Sequence, residues 1–476
     1  MRLSERLRGE LVPREDERFA SARQLQSTEY DTVEPRAIAY CETEEDVRAC
    51  VLYARETGTP VHLRSGGHSF GGWSTGEGLV IDVSRIAHVD AGRDTVRLGA
   101  GVRSLDALAA LGRQDRQIVT GTFPTVGTAG FLSGGGLGWQ TRAFGMGSDR
   151  IVSARVVLAD GALVHCSADE EPDLFWALRG GGGGNFGVVT EFEVLPIDAP
   201  LLTPYEAVWD GDEAVGALTA WQAWCAEGPD ELGSSLVVLP GMFHPDGRPV
   251  VRIWGVHLGT AEETRRCLDG LVERIGAGPA DRTVGERAAY TKVMHESLCG
   301  PKTVAQCHRT GTGPEAEGHR HPHTRRSYRL TDRPADERES AALLEAWDPA
   351  RDDERYLLGI AVGGAANRID PAETAYVHRT ARFLLGYQFA CRGEVSPGKD
   401  TELMERADRA SDALEPLACG SYINFAGSRV REGWEADHYG GNHERLIRVK
   451  AAYDPDDLFR HRQSIGADAA LAKAGA

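Results

Sequence analysis

The placement of glycine restricts this chain more than any other feature. The chain has 57 glycines in 476 residues, and three early stretches are dense in them: RSGGHSFGG at 64–72, GTFPTVGTAGFLSGGGLG at 121–138 and RGGGGGNFG at 179–187. Runs like these weaken helix and strand interiors, because glycine loses more backbone freedom on ordering than any other residue. They read as loops that let a backbone come close to a ligand. The first follows the strand-like PVHL and offers consecutive N–H groups from small residues beside Arg64, so it can curl into a nest for a diphosphate. The second can supply a further wall. Two such loops, both after strands in one region, point to a nucleotide site.

Two literal motif matches fail on context. GGGNFG (182–187) fits the dinucleotide fingerprint, but VVTEFEVLP follows it as a strand where that fingerprint needs a helix. GWSTG (72–76) fits the nucleophile elbow of a serine hydrolase, with Ser74 as nucleophile, but a glycine loop precedes it and the strand GLVIDV follows. The chain has no phosphate-loop GxxxxGK[ST] and no HExxH.

The intervening segments alternate in type. AIAYCE reads as a strand; TEEDVRACVLYARETG reads as a helix capped by Thr43 and stopped at Gly58. PVHL, GLVIDV, TVRLGAG, RIVSARVVLADGALV and GVVTEFEVLP read as further strands, so the first part is mixed α and β. From about 200 to 415 the glycine runs thin out, and longer patterns such as PVVRIWGVHLG take over. At 476 residues the chain exceeds one hydrophobic core, and two or three substructures are expected.

Charge and cysteine usage exclude some partners. A formal charge of -18 repels nucleic acid and anionic membranes. The N-terminus lacks an apolar signal core, and no run is long enough to span a bilayer. Nine cysteines with no CxxC pair read as reduced thiols of a cytoplasmic protein. The biased stretch HRTGTGPEAEGHRHPHTRR, with His308, His319, His321 and His323, reads as a surface loop, with a metal site or a lid as the alternatives.

At RSGGHS the chain resembles the FAD-linked oxidases of the berberine-bridge-enzyme-like family, within the vanillyl-alcohol-oxidase superfamily. The resemblance runs through PTVGTAGFLSGGGLG, VVLADG and DLFWALRGGGGGNFGVVTEFE, and returns at GSYINF and HYGGNHERLIRVKAAYDPDDLFRHRQSI; GGAANRIDPAETAYVHR supports the middle more thinly. It implies an α+β fold: a PCMH-type FAD-binding domain made of residues 1–200 and the C-terminal segment 419–476, with a central substrate domain (201–418) of antiparallel sheet backed by helices. It also implies a residue-by-residue site. His68 matches the histidine that bonds the flavin 8α-methyl, the alternative being an unbonded polar loop residue. Ser65, Gly66, Gly67 and Ser69, with Arg64 adjacent, match the pyrophosphate loop. Pro124, Thr125, Val126, Gly127 and Gly130, with Gly134 and Gly138 further along the same stretch, match the second cofactor loop. Gly187 and Val188 match the adenine side, and Asn424 and Asn442 fall where the C-terminal motifs approach the flavin ring.

Two departures from the family pattern are informative. Many members bond the flavin a second time through a cysteine in G-x-C-P-T-V-G; here Phe123 fills that slot, so single attachment, a weaker oxidant and a narrower site are expected. In GSYINF the family's later tyrosine is Phe425, which leaves Tyr422 as first candidate for the general base and Tyr439 as second, each with a purely structural alternative. The activity implied is oxidation of a small organic substrate by hydride transfer to flavin N5, with O2 reoxidising the flavin to give H2O2. A bacterial natural-product tailoring step leads, a cyclic amine follows and a carbohydrate is third. A dehydrogenase or monooxygenase of the same fold, a Ser74 hydrolase and a non-catalytic FAD scaffold are the rivals, and either a monomer or a homodimer is compatible.

Overall fold

The computed structural model describes residues 2–244, 247–351 and 353–466; Met1 and the last ten residues of the expected C-terminal segment, 467–476, lie outside them. Three large sheets, with a two-stranded ribbon of Arg116–Gln117 and Ile197–Asp198, organise the described residues. A four-stranded sheet runs in the order Glu10–Pro13, Ala37–Tyr40, Leu79–Asp82, Val61–Arg64, with the last three strands parallel. The helix Glu44–Thr57 makes the crossover between them. Thr43 and Asp46 form its capping box, and Gly58 ends it at φ 64°, a left-handed conformation that suits glycine.

An antiparallel five-stranded sheet follows, in the order Val89–Ala91, Val96–Gly99, Val188–Val194, Ile151–Val157, Leu163–Ser167. The third sheet, nine-stranded and antiparallel, is built from residues between Leu201 and Gly420. Its inner strands Leu232–Leu239, Arg355–Ala361 and Phe383–Cys391 alternate in facing, as the two-residue repeat of a strand requires. Leu357, Leu385, Tyr387 and Phe389 pack under the helices Ala214–Glu227, Ala261–Ile275, Glu337–Trp347 and Pro397–Leu414, burying Trp221, Trp224 and Trp347. Tyr356, Leu358, Ile360 and Leu384 point the other way, toward the glycine loops.

The edge strand Ala418–Gly420 is the last of the large sheet, after which the chain returns to the first region. Ile423, Trp434, Tyr439, Leu446, Val449 and Ile465 share one core with Val96, Leu98 and Phe192 of the five-stranded sheet. Polar contacts fix the return: Lys450 Nζ donates to the carbonyl of Asn185 (2.9 Å), and the Ile465 N–H donates to Asn185 Oδ1 (3.0 Å).

The cysteines correct one expectation. Cys299 and Cys307 are joined in a disulfide, and the other seven are free. A pair eight residues apart shows no recognisable spacing, and it is the intervening turn that brings the two together. Among the described residues no helix is long and apolar enough to cross a membrane.

Candidate active site

One cavity of about 550 Å³ lies between the glycine loops and the exposed face of the large sheet. The loop 64–69 runs directly out of the strand Val61–Arg64, and all six of its residues line the cavity. Gly66 abuts the backbone of Gly127 so closely that a Cβ on either would collide with the other, which locks the first and second loops together. Phe123, Val126, Gly127 and Gly130 line the cavity from the second loop, and Gly187 and Val188 from the third. At Gly130 a Cβ would meet nothing within 4 Å, and at Gly183 and Gly184 nothing closer than 3.5 and 3.9 Å. These bare backbones form a cradle that a flat ligand can fill.

His68 is half-buried among Phe123 (ring centroids 5.4 Å apart), His321 (6.3 Å) and Thr125, whose hydroxyl lies 2.8 Å from Nε2. Burial, reinforced by His321, Arg103 and Arg309, pushes its pKa down to about 3. The imidazole is therefore neutral and keeps a nucleophilic lone pair at neutral pH. Arg64 gives its Nε to Asp82 in a buried ion pair, and its Nη1 is buried without a hydrogen-bond partner among the described residues. That orphaned donor beside the nest suits a phosphate oxygen.

Tyr422 is buried at the cavity wall. Its oxygen accepts from the Gly136 N–H (2.8 Å) and from Asn424 Nδ2 (3.0 Å), and Asn424 also donates to the Phe131 carbonyl (3.0 Å). Burial pushes the phenol up to about 12, against the pull of these donors. The sheet side of the cavity is apolar: Leu239, Trp254, Leu358, Ile360 and Leu384, with Phe70, Tyr328 and Phe425 in mutual ring contact. Its polar exceptions are few; Gln388 donates to the Tyr328 hydroxyl.

Some sequence-derived candidates stand elsewhere. Tyr439 does not line the cavity: its hydroxyl donates to the Gly181 carbonyl (3.3 Å) and its ring packs among Trp434, His438 and His443. Asn442 spends its amide on the carbonyls of Pro371, Thr374 and Ala375. Pro124 fixes its loop by accepting from the Leu105 N–H (2.9 Å). Gly134 backs onto Asn424 and Gly138 onto the Thr120 carbonyl, so both make room for neighbours. Ser74 does line the cavity, but it lies in a turn between the first loop and a strand, as its context implied, and not in a strand-to-helix elbow.

The histidine-rich stretch is divided in its roles. Residues 310–315 are exposed, but His308 Nε2 donates to Asp106 Oδ1 (2.9 Å), His323 pairs with Asp400 (2.6 Å), and His321 enters the cavity against Phe123 (ring centroids 4.7 Å apart). Its backbone is held there by hydrogen bonds with Gln26 and Thr28. Among the described residues no three His, Cys, Asp or Glu side chains could hold a metal ion. Besides His321, sequence reasoning missed Tyr328, Gln388, Trp254 and the C-terminal His461, which stacks on Trp73 at 4.2 Å. The alternation of Tyr356, Leu358 and Ile360 was the one available signal for the sheet face.

Glycine loops that can cradle a nucleotide, around a neutral histidine and facing an apolar chamber, suit a flavin-dependent oxidoreductase. Comparison with known proteins agrees. Residues 35–167 match the family described as "FAD binding domain", and residues 421–466 that described as "Berberine and berberine like". An uncharacterized FAD-linked oxidoreductase of Bacillus subtilis (strain 168), YgaK, is 28% identical over 467 residues, 97% of each chain. The (R)-6-hydroxynicotine oxidase of Paenarthrobacter nicotinovorans is 37% identical over 265 residues, 54% of this chain and 57% of that one. A solved structure of glucooligosaccharide oxidase from Acremonium strictum, described as carrying 6-S-cysteinyl, 8α-N1-histidyl FAD, superposes with a TM-score of 0.83 at 25% identity, covering 96% of this chain and 97% of that one. With an FAD-binding segment, a berberine-like C-terminal segment and similarity to FAD-linked oxidoreductases along 97% of its length, the chain is an FAD-linked oxidoreductase with the PCMH-type α+β fold of its structural neighbours.

Proposed function

We propose that this protein is an oxidase with FAD bonded once, at His68, acting on a small apolar ring-bearing substrate. The observation that carries this reading is the single cavity in which the His68 loop, the Tyr422 hydroxyl and an apolar sheet face meet. Residues 1–200 and the C-terminal segment from 419 form the cofactor half, and 201–418 the substrate half. The nest at 65–69 and the Arg64 Nη1 hold the diphosphate, and the bare backbones at Gly130, Gly183 and Gly184 accept flat surface. Phe123 stands where many relatives carry a bonding cysteine, and none of the nine cysteines lines the cavity, which supports a single bond.

When bound, FAD takes hydride at N5 and passes the electrons to O2, giving H2O2. The residues of the chain do the rest. Leu358, Ile360, Leu384 and Trp254 desolvate the substrate, and the Tyr328–Gln388 pair orients its polar edge. Tyr422 is the proton acceptor: its two donors are those a phenolate requires, although burial keeps it protonated at rest. A wall this apolar leaves the hydroxyls of an oligosaccharide unpaired, at about 1–3 kcal/mol for each. It favours a natural-product ring system or cyclic amine.

The test is denaturing electrophoresis under ultraviolet light in acid, then peptide mapping. One FAD of added mass on the His68 peptide alone is expected; a dark band from a yellow protein overturns the bond. Anaerobic bleaching by aromatic alcohols or cyclic amines, but not by oligosaccharides, with H2O2 on readmitting air, is the expected substrate result. Bleaching by oligosaccharides alone overturns the substrate class.

A further inference from the structure

The imidazole of His68 has two nitrogens, and a neutral ring carries a proton on one and a lone pair on the other. Which is which depends on the neighbours. Among the described residues the ring makes one hydrogen bond, Nε2 with Thr125 Oγ at 2.8 Å, and Nδ1 has no protein partner. Phe123 and His321 flank the ring at centroid distances of 5.4 and 6.3 Å and limit its reorientation.

Thr125 is itself held firmly. It is 6% exposed. The loop that carries it is pinned on both sides, by the Leu105 N–H on the Pro124 carbonyl (2.9 Å) and the Ser104 N–H on the Val126 carbonyl (3.0 Å). The contact between Gly66 and Gly127 fixes this loop against the one bearing His68. The hydroxyl is therefore a fixed point to which the imidazole is referenced.

We propose that Thr125 is a positioning residue for covalent attachment: by holding Nε2 it makes Nδ1 the atom that bonds the flavin 8α-carbon. The inference rests on the reading of His68 given above. Before attachment the hydroxyl accepts the Nε2–H, which places the lone pair on Nδ1. In the reaction the Nδ1–C8α bond forms while one C8α–H bond and the imidazole N–H bond break. Two protons and two electrons leave, and O2 takes both pairs to become H2O2. Afterwards Nε2 carries a lone pair, and the same hydroxyl turns to donate to it. Threonine and serine can play both parts; valine can play neither. The N1-histidyl linkage of glucooligosaccharide oxidase uses the corresponding ring nitrogen.

Wild type, Thr125→Ser and Thr125→Val, purified in parallel, separate this role from a merely structural one. Intact mass gives the bonded fraction, and the pH dependence of flavin-peptide fluorescence identifies the bonded nitrogen. Wild type and Thr125→Ser are expected to be bonded at Nδ1. Thr125→Val should stay yellow with non-covalent FAD but show about a tenfold lower bonded fraction, the effect of one neutral hydrogen bond, or a share bonded through Nε2. Should Thr125→Val fail to hold FAD, Thr125→Ala takes its place. A hydroxyl-free variant bonded through Nδ1 as fully as wild type overturns the proposal. A wild type with no bond at all overturns the His68 reading, a separate outcome.

Discussion

The two walls of the cavity are built in opposite ways. The wall assigned above to the cofactor is mostly backbone: glycine-rich runs at 65–69, 126–130 and 182–187 bring main-chain atoms to the cavity, and a side chain at Gly66 would collide with Gly127. The wall assigned to the substrate is side chain: Leu239, Trp254, Leu358, Ile360 and Leu384 project from four strands of one sheet. A backbone wall tolerates almost no substitution, because there is nothing to trim. A side-chain wall can be re-cut one residue at a time without disturbing the sheet, which suits an enzyme family whose members differ in substrate.

The contrast can be broken in order of size. Gly66→Val should abolish flavin binding, leaving a colourless protein by absorbance; a yellow variant would mean that the two loops can separate. Tyr422→Phe should retain flavin but lower kcat by about 10²–10⁴, the usual contribution of a general base. Because burial raises this phenol to about 12, kcat/KM of the wild type should climb with pH into the alkaline range, and that rise should vanish in the variant. Leu358→Ala should raise KM about tenfold with kcat nearly unchanged, as loss of one buried aliphatic contact predicts. An equal fall in kcat would place this side chain at the reacting atoms.

The smallest effect concerns the junction between the halves. His378 Nε2 donates to the His438 carbonyl (3.0 Å), and burial holds both rings neutral, with pKa values near 4 and 3. Arg379 beside His378, and Arg329 and His461 beside His438, push the same way. Unfolded, each titrates near 6.5, so between about 4 and 6.5 the unfolded chain binds more protons. Stability is full above that window and is lost as pH falls through it. A melting temperature lower by a few degrees at pH 5 than at pH 7 is expected, and His378→Gln should flatten the slope.

The same contrast explains what could be read in advance. Glycine loops, the Thr43–Gly58 helix and the family motifs were legible because the backbone demands particular residues at particular positions. Tyr328 and Gln388 were not: they lie 60 positions apart and meet only through strand pairing. His321 was hidden by its surroundings, since glycine, proline and charge describe the exposed part of its loop and not the one ring that turns inward. Tyr439 and Asn442 carry family-like motifs, yet their polar atoms face the protein's own carbonyls, a distinction that spacing cannot convey.

The bond from Lys450 to the Asn185 carbonyl spans 265 residues. At about 5–20 residues per second, a ribosome takes tens of seconds to deliver the second partner after the first. The glycine loops are thus exposed well before the tail that braces them exists, with the whole large sheet still to be made. A chain truncated before Lys450 should therefore leave the ribosome unable to retain the nucleotide.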